Sequence, residues 1–117
     1  LNKRKLINLD DIHFIRHGRF FDLDGTLMMV GRDSEDNDKL LALKKGADVA
    51  IECADIPGPY VLLRHNITSD KIDFAASVAV RYAKQKTAKV TVTQDQVVNE
   101  AEYLAADEEK IKEKLIT

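Results

Sequence analysis

The chain has 117 residues, of which 44% are hydrophobic and 32% charged, and its formal net charge is −2. This length is enough to bury a core without disulfides or metal ions, and we expect residues 1–117 to form one domain. The slight acidic balance argues against a protein that coats nucleic acid nonspecifically, and the apolar stretches are too short to span a bilayer, so we expect no membrane segment.

Cysteine content and the first residues bear on the compartment. Cys53 is the single cysteine, which excludes an internal disulfide and an all-cysteine zinc site and fits a reducing, cytoplasmic compartment. The three histidines lack the spacing of a metal site, and we expect no metal ion or other cofactor. Residues 1–7 lack the apolar region and cleavage site of a signal peptide, and a chain that begins with Leu1 fits a piece cut from a longer protein.

The first predicted elements are short strands over residues 12–15, 19–23 and 26–30. Asp24-Gly25 separates the last two strands, and this dipeptide is typical of a type I′ turn, in which both central residues have positive φ. We therefore predict a β-hairpin over residues 19–30.

The later elements alternate irregularly between helix and strand. Asp33 or Ser34 caps a helix over 35–45 that Gly46 closes at its C′ position, and Thr68 or Ser69 caps a helix over 70–86. The other predictions are strands over 48–53, 60–64 and 89–93 and a charged helix over 107–116, with unassigned apolar islands at 96–98 and 102–104. This order predicts an α+β fold: a mixed, mainly antiparallel sheet that starts with a hairpin and packs against two to three helices.

The segment Asp22-Leu23-Asp24-Gly25-Thr26 has a second, catalytic interpretation. It resembles the nucleophile loop of haloacid-dehalogenase-like phosphatases, in which Asp22 would attack phosphorus and Asp24 would protonate the leaving group beside magnesium. Such enzymes need a parallel sheet with nearly continuous apolar strands, and Arg16-His17-Gly18-Arg19 interrupts the upstream strand. We therefore favour the hairpin and expect a protein that is not an enzyme.

A second resemblance covers residues 19–93 and contains several motifs in order. The segments that carry it are Asp24 to Asp38, with a Gly-Arg-Asp motif and an Asn-Asp pair; Asp48 to Glu52; Asp55 to Arg64, with Asp-Ile-Pro-Gly; Phe74 to Lys84, which is rich in alanine; and Lys89 to Val92. Together they resemble the RNA-binding domain of NFACT proteins. The resemblance implies a non-catalytic module that binds transfer RNA or ribosomal RNA and acts in translation and ribosome-associated quality control.

The chain also departs from that family's pattern. Ala50 and Glu52 stand where an aromatic residue and a histidine are usual, and Tyr60 replaces a second histidine. The segment 94–117 is a divergent acidic tail instead of a stretch rich in lysine, proline and glycine. Because carboxylates repel phosphates, these departures support an alternative function, a protein-interaction module that has lost RNA binding.

The candidate RNA-binding residues are cations and aromatic residues at or near the matching positions. They are Arg32, Arg64, Tyr60, Arg81, Lys84, Lys86 and Lys89. Arg32 and Arg64 match the family's pattern, and a guanidinium can clamp phosphate with two hydrogen bonds. The alternatives remain open: Arg32 can instead support the neighbouring helix through Asp33 or Glu35, and the lysines can form an ordinary solvated face. Tyr82 is a second stacking candidate, or a core residue of its helix.

Overall fold

The computed structural model describes residues 18–116, and these residues form one antiparallel sheet with three helices packed against it. The strands are β1 (Arg19–Asp22), β2 (Leu27–Val30), β3 (Val49–Cys53), β4 (Val61–Arg64), β5 (Thr87–Gln94) and β6 (Val97–Leu104). The helices are α1 (Ser34–Leu43), α2 (Ser69–Tyr82) and α3 (Glu108–Lys114). The predicted α+β class is confirmed, whereas the predicted strand over 12–15 lies outside the described residues.

β1 and β2 form the predicted hairpin. Asp24 has φ 51° and Gly25 has φ 93°, and the backbone N–H of Leu23 donates to the carbonyl of Thr26 at 2.8 Å, with the reciprocal bond at 3.3 Å. Both positive φ angles fit the type I′ turn. Because the chain continues after Thr26 as an antiparallel strand, the parallel framework that the phosphatase interpretation requires is not formed.

The strand order is β1-β2-β4-β3-β5-β6, and helices lie on both faces of the sheet. On one face α2 and α3 cover the main core, which contains Phe21, Met28, Ile51, Leu63, Val78 and Ile111. On the other face Leu40 of α1 packs on a smaller cluster of Phe20, Leu27, Met29, Ala50, Tyr60 and Leu62. That smaller cluster draws on β1 to β4 and their flanks, and it includes no residue of β5 or β6.

The helix α1 is shorter than predicted at its C-terminal end. Asp33 is its N-cap, and the carboxylate accepts the N–H of Asp36 at 2.9 Å. The helix ends at Leu43 because Lys44 has an extended conformation. Gly46 is therefore not the C′ residue; it lies in the following turn, where the N–H of Asp48 donates to the carbonyl of Lys45 at 3.0 Å.

The helix α2 also ends earlier than the predicted residue 86. Thr68 is its N-cap. At the other end Lys84 has φ 63°, and the N–H of Gln85 donates to the carbonyl of Val80 at 3.2 Å while that of Lys84 donates to Arg81 at 3.0 Å. These two bonds define a Schellman motif, which ends a helix by a left-handed residue at C′. Its usual occupant is glycine, and here it is Lys84.

The acidic segment after residue 94 is built into the sheet. β6 pairs with β5 over its whole length, from Gln94↔Val97 to Thr87↔Leu104, around a turn in which Asp95 has φ 56°. The sequence left this strand unassigned. α3 follows and occupies a shorter range than the predicted 107–116, and the chain then reaches the opposite edge of the sheet, where the N–H of Ile116 donates to the carbonyl of Phe20 at 2.8 Å.

The longest helix among residues 18–116 is α2, with 14 residues, and none of the helices there is long and apolar enough to cross a bilayer.

Candidate nucleic-acid interface

Three chain segments and Arg19 enclose an open cleft of about 520 Å³ at one end of the sheet. The segments are the loop after β2 with the start of α1 (residues 31–37), the Pro57-Gly58-Pro59 turn, and the end of α2 (residues 82–84). Arg19, Arg32 and Lys84 line it with positive charge. We call this site the cationic cleft.

Arg32 is held in the cleft by Asp36, one turn into α1. Its Nε donates to Oδ2 of Asp36 at 2.7 Å, and its backbone N–H donates to the same oxygen at 3.0 Å. The hydrogen bond to Asp36 and the charge of that carboxylate raise the pKa of the Arg32 guanidinium. The side chain is 54% exposed, so a fixed cation with further N–H donors faces solvent.

Arg19 and Tyr82 form the second part of the cleft. Arg19 pairs with Val30 in the hairpin register, which places it beside the loop that contains Arg32. Its guanidinium carbon lies 4.7 Å from the ring centroid of Tyr82, within the range of a cation–π contact. This contact joins the first strand of the sheet to the last turn of α2.

Lys84 reaches the cleft from the C′ position of α2. A left-handed conformation is unfavourable for a residue with a Cβ atom, by roughly 1–2 kcal/mol. The Lys84 side chain is exposed. The position therefore carries a cation at a conformational cost that glycine would avoid.

Backbone contacts around Asn37 hold the walls of the cleft together. The side-chain oxygen of Asn37 accepts the N–H of Tyr60 at 3.0 Å, and the N–H of Gly31 donates to the carbonyl of Tyr60 at 3.0 Å. A Cβ atom on Gly31 would overlap the Asn37 side chain, so this position requires glycine. A Cβ on Gly58 would come within 3.2 Å of the Ala83 Cβ, so the Pro57-Gly58-Pro59 turn packs closely against the end of α2.

The carboxylates beside the cleft already accept hydrogen bonds. Asp33 caps α1 through the N–H of Asp36, and Asp36 itself binds Arg32. The first turn of α1 also opens at this site, and the exposed N–H groups of a helix N-terminus favour anions. The cleft is therefore suited to a group that carries negative charge.

The structure places two of the predicted site residues, Arg32 and Lys84, in the cationic cleft. Arg64 lies elsewhere and in the interior. It is 4% exposed, its Nη2 donates to Oδ2 of Asp48 at 2.6 Å and to the carbonyl of Leu43 at 3.0 Å, and its Nε also binds the Asp48 carboxylate. This environment gives Arg64 a structural role, tying β4 to the segment between α1 and β3, and we leave it out of the interface.

Tyr60 is also buried rather than presented for stacking. It is 5% exposed and packs in the smaller cluster beside α1. Burial, followed by the charges of Glu52 and Asp48, raises the pKa of Tyr60 to about 12. Its hydroxyl has no hydrogen-bond partner among residues 18–116. Its contribution to the cleft is the backbone, through the contacts with Asn37 and Gly31.

The three remaining candidates do not join the cleft. Arg81 donates from Nε to the carbonyl of Ala106 at 2.8 Å and lies 4.0 Å from Glu108, so it links α2 to α3. Lys86 is exposed in the turn before β5. Lys89 lies on β5 and its Nζ is 3.8 Å from Oε1 of Glu100.

Cys53 stands at the end of β3, close behind the Pro57-Gly58-Pro59 turn. Its sulfur lies 3.9 Å from the carbonyl of Ala79, and burial, with the charge of Glu52, raises the pKa of the thiol. A thiol that stays protonated is a poor nucleophile, and the contacts of Cys53 are those of a packed structural residue.

Sequence reasoning did not select Arg19, and it left Tyr82 between a stacking and a core role. The neighbours of Arg19 come from strand pairing and from the distant end of α2, so no local pattern marks it. The usable signal was the hairpin itself, because its register places Arg19 next to Gly31 and Arg32.

Comparison with known proteins agrees with the sequence motifs. The family model for the NFACT protein RNA-binding domain matches residues 18–115, which is nearly all of the chain. The chain belongs to this family. Three of the five segments that carry the resemblance meet in the structure of this NFACT RNA-binding domain, because the Gly-Arg-Asp motif with Asn37, the Pro57-Gly58 turn and the end of the alanine-rich helix all line the cationic cleft.

A solved structure has a similar fold. It is the C-terminal part of the fibronectin/fibrinogen-binding protein from Streptococcus suis, with a TM-score of 0.69 and 23% identity over 86% of this chain. The chain spans 50% of the length of that solved chain. A search of curated proteins found no match.

Proposed function

We propose that this NFACT RNA-binding domain binds RNA through the cationic cleft and performs no catalysis there. The observation that carries the proposal is the convergence of the family motifs on a cleft with three cations, two of them held by defined contacts: Arg32 by Asp36 and Arg19 by Tyr82. Guanidinium groups fixed in this way suit phosphate oxygens. The Tyr82 ring packs against the main core, and its role in the cleft is to hold Arg19.

The conformation of Lys84 supports a functional role for the cleft. Residues held in sparsely populated backbone regions concentrate at functional sites, where selection for the side chain outweighs its conformational cost. A structural helix end would be better served by glycine or asparagine. Lys84 supplies a charge instead, and that charge faces the same cleft as Arg32.

The RNA we propose is transfer RNA or RNA of the large ribosomal subunit, and the process is translation and ribosome-associated quality control in the cytoplasm. Support for these finer assignments is the resemblance of residues 19–93 to the NFACT domain. The single cysteine also fits a reducing compartment.

The test is an electrophoretic or anisotropy measurement with transfer RNA and with ribosomal subunits as salt is raised. Charge reversal of Arg32→Glu with Lys84→Glu should abolish binding at moderate salt. If the variant still binds at low salt, the slope of log affinity against log salt should fall by about 1.5, because two phosphate contacts are lost.

The matched control is Lys86→Glu with Lys110→Glu, which makes the same change in net charge at two exposed positions outside the cleft. It should bind nearly as well as the unmodified chain. Equal losses in the two variants would contradict a localised interface, and binding that salt does not weaken would contradict phosphate contacts.

A protein-interaction module is the second candidate function. The observation that favours it is the face of the sheet that α1 leaves uncovered, where Glu52, Glu100 and Glu102 are exposed. Phosphates are repelled there. In the same salt titration, a domain that serves only as a protein module would not retain RNA.

A further inference from the structure

β6 leaves one edge of the sheet open. It pairs with β5 through eight consecutive residues without a bulge, and its own sequence contains neither proline nor glycine. No strand within residues 18–116 pairs with its outer side. A long, regular edge presents a row of backbone donors and acceptors to any extended chain that approaches.

The opposite edge of the same sheet is treated differently. β1 has only four residues, and Leu115 and Ile116 run along it, with a bridge between Phe21 and Leu115 and a hydrogen bond from Ile116 to Phe20. One edge is therefore short and partly covered, and the other is long and uncovered within the described chain. Natural sheets often place lysine on exposed edges to prevent pairing, and β6 contains none.

The side chains of β6 alternate between the two faces of the sheet. Tyr103 points to the α2 side, where its hydroxyl donates to Asp73 at 3.0 Å. Val98, Glu100, Glu102 and Leu104 point to the other side, which no helix covers here, and all four are exposed. The exposed row of this edge strand therefore reads apolar, acidic, acidic, apolar. Lys89 of β5 lies on its inner side, 3.8 Å from Glu100 and opposite Glu102, so the row carries two carboxylates against one neighbouring cation.

A second copy of the chain is a poor occupant for this edge. When two β6 strands pair antiparallel about an axis perpendicular to the sheet, the two most extensive registers place Glu100 opposite Glu100 or opposite Glu102. Like charges directly opposite each other destabilise a strand pair. The exposed row of β6 instead complements a strand whose residues on the same face are apolar, basic, basic and apolar.

We propose that β6 accepts an extended basic segment of another protein as a seventh strand. Backbone hydrogen bonds to the open edge supply the pairing, two lysine or arginine side chains lie beside Glu100 and Glu102, and apolar side chains contact Val98 and Leu104. This surface is separate from the cationic cleft, and it does not depend on RNA binding.

The test uses the peptide Val-Thr-Lys-Thr-Lys-Thr-Val and the isotope-labelled chain comprising residues 1–117. Amide shifts along β6 and not around Arg32 or Lys84 are the expected result. Glu100→Lys with Glu102→Lys should weaken binding by about tenfold or more, because two cross-strand pairs become repulsive, and should favour the matched Val-Thr-Glu-Thr-Glu-Thr-Val peptide.

Two controls decide the interpretation. Asp38→Lys with Glu113→Lys makes the same charge change on exposed helix positions and should leave the affinity unchanged. A peptide methylated on its backbone nitrogens keeps its charge and should lose binding. Equal binding by the methylated peptide, equal losses in both variants, or self-association of the free chain through β6 would each overturn the proposal.

Discussion

Two arginine–aspartate pairs in this molecule have nearly the same contact and opposite surroundings. Arg64 and Asp48 are joined at 2.6 Å with side chains 5% and 6% exposed, and Arg32 and Asp36 are joined at 2.7 Å with side chains 54% and 10% exposed. The first pair is enclosed between β4 and the turn before β3, whereas the second opens on the cationic cleft. Both arginines form an ion pair, so the exposure of the arginine side chain is what distinguishes a structural arginine from one that can bind a ligand.

The physical reason is the cost of removing charge from water. Burying an ion pair costs hydration free energy, and the attraction between the two charges offsets only part of that cost. If one partner is removed, the other is left as an uncompensated buried charge. A half-exposed guanidinium keeps much of its hydration and can exchange water for a phosphate oxygen. The two pairs should therefore respond differently to loss of the arginine.

The largest expected effect is that of Arg64→Ala. This change leaves the Asp48 carboxylate buried without its main partner and should lower the free energy of unfolding by about 3–5 kcal/mol. Arg32→Ala, the matched change at the cleft, should lower the urea midpoint less while weakening RNA binding, because the backbone N–H of residue 32 still donates to the Asp36 carboxylate. Equal shifts in the two urea midpoints would show that burial does not distinguish the pairs.

The next effect concerns the wall of the cleft. In Gly31→Ala the new methyl group would overlap the Asn37 side chain, and the free energy of unfolding should fall by about 1–3 kcal/mol, as for other overpacked sites. Adding Asn37→Ala removes the overlap. The double variant should then be more stable than the sum of the two single changes predicts, and strict additivity in a double-mutant cycle would refute the contact.

Tyr60 and Arg64 are both buried polar residues, but the Arg64 guanidinium is paired whereas the Tyr60 hydroxyl is not. Because its buried hydroxyl has no partner among residues 18–116, Tyr60→Phe should raise the free energy of unfolding near neutral pH by about 1 kcal/mol. The folded pKa of about 12 lies above the ordinary 10.0, so the unfolded chain releases this proton first. The unmodified chain therefore feels no penalty from this ionisation below pH 10.0, and it loses stability as the pH rises from 10.0 toward 12.

Urea titrations of Tyr60→Phe and the unmodified chain at several pH values measure this dependence. The gap between the two proteins should widen above pH 10.0. A constant gap would mean that Tyr60 titrates normally in the folded protein.

The smallest expected effect is at Lys84. Lys84→Gly relieves the left-handed conformation and should stabilise the domain by about 0.5 kcal/mol, after the greater freedom of glycine in the unfolded chain is subtracted. Lys84→Ala keeps the conformational cost. Both variants should weaken RNA binding alike, since both remove the cation, and a difference in affinity between them would assign the effect to backbone shape.

Local chemistry made part of the fold predictable. The hairpin follows from Asp24-Gly25, because few dipeptides accept positive φ at both positions, and the caps Asp33 and Thr68 mark the starts of their helices. β6 was missed because nearly all its side chains are exposed, so no alternation of apolar and polar residues marks it.

The candidate site was less predictable, because it depends on long-range pairing. Arg32 and Lys84, which the sequence marks as cations near family motifs, both lie in the cleft. Arg64 follows three apolar residues at the end of a strand, and nothing in that local sequence indicates that its side chain forms a buried ion pair with Asp48. Arg19 gains its surroundings only when the hairpin and the end of α2 come together.

The strip formed by Leu115 and Ile116 along β1 has a consequence for synthesis. A growing chain makes the hairpin before the residues that cover its edge, and α1 to α3 lie between them. Among the described residues, nothing but Leu115 and Ile116 covers the outer side of β1, so during translation of the intervening residues this edge is open in the way that β6 is in the folded domain. The nascent domain is exposed to unwanted strand pairing in that interval, until Leu115 and Ile116 are made.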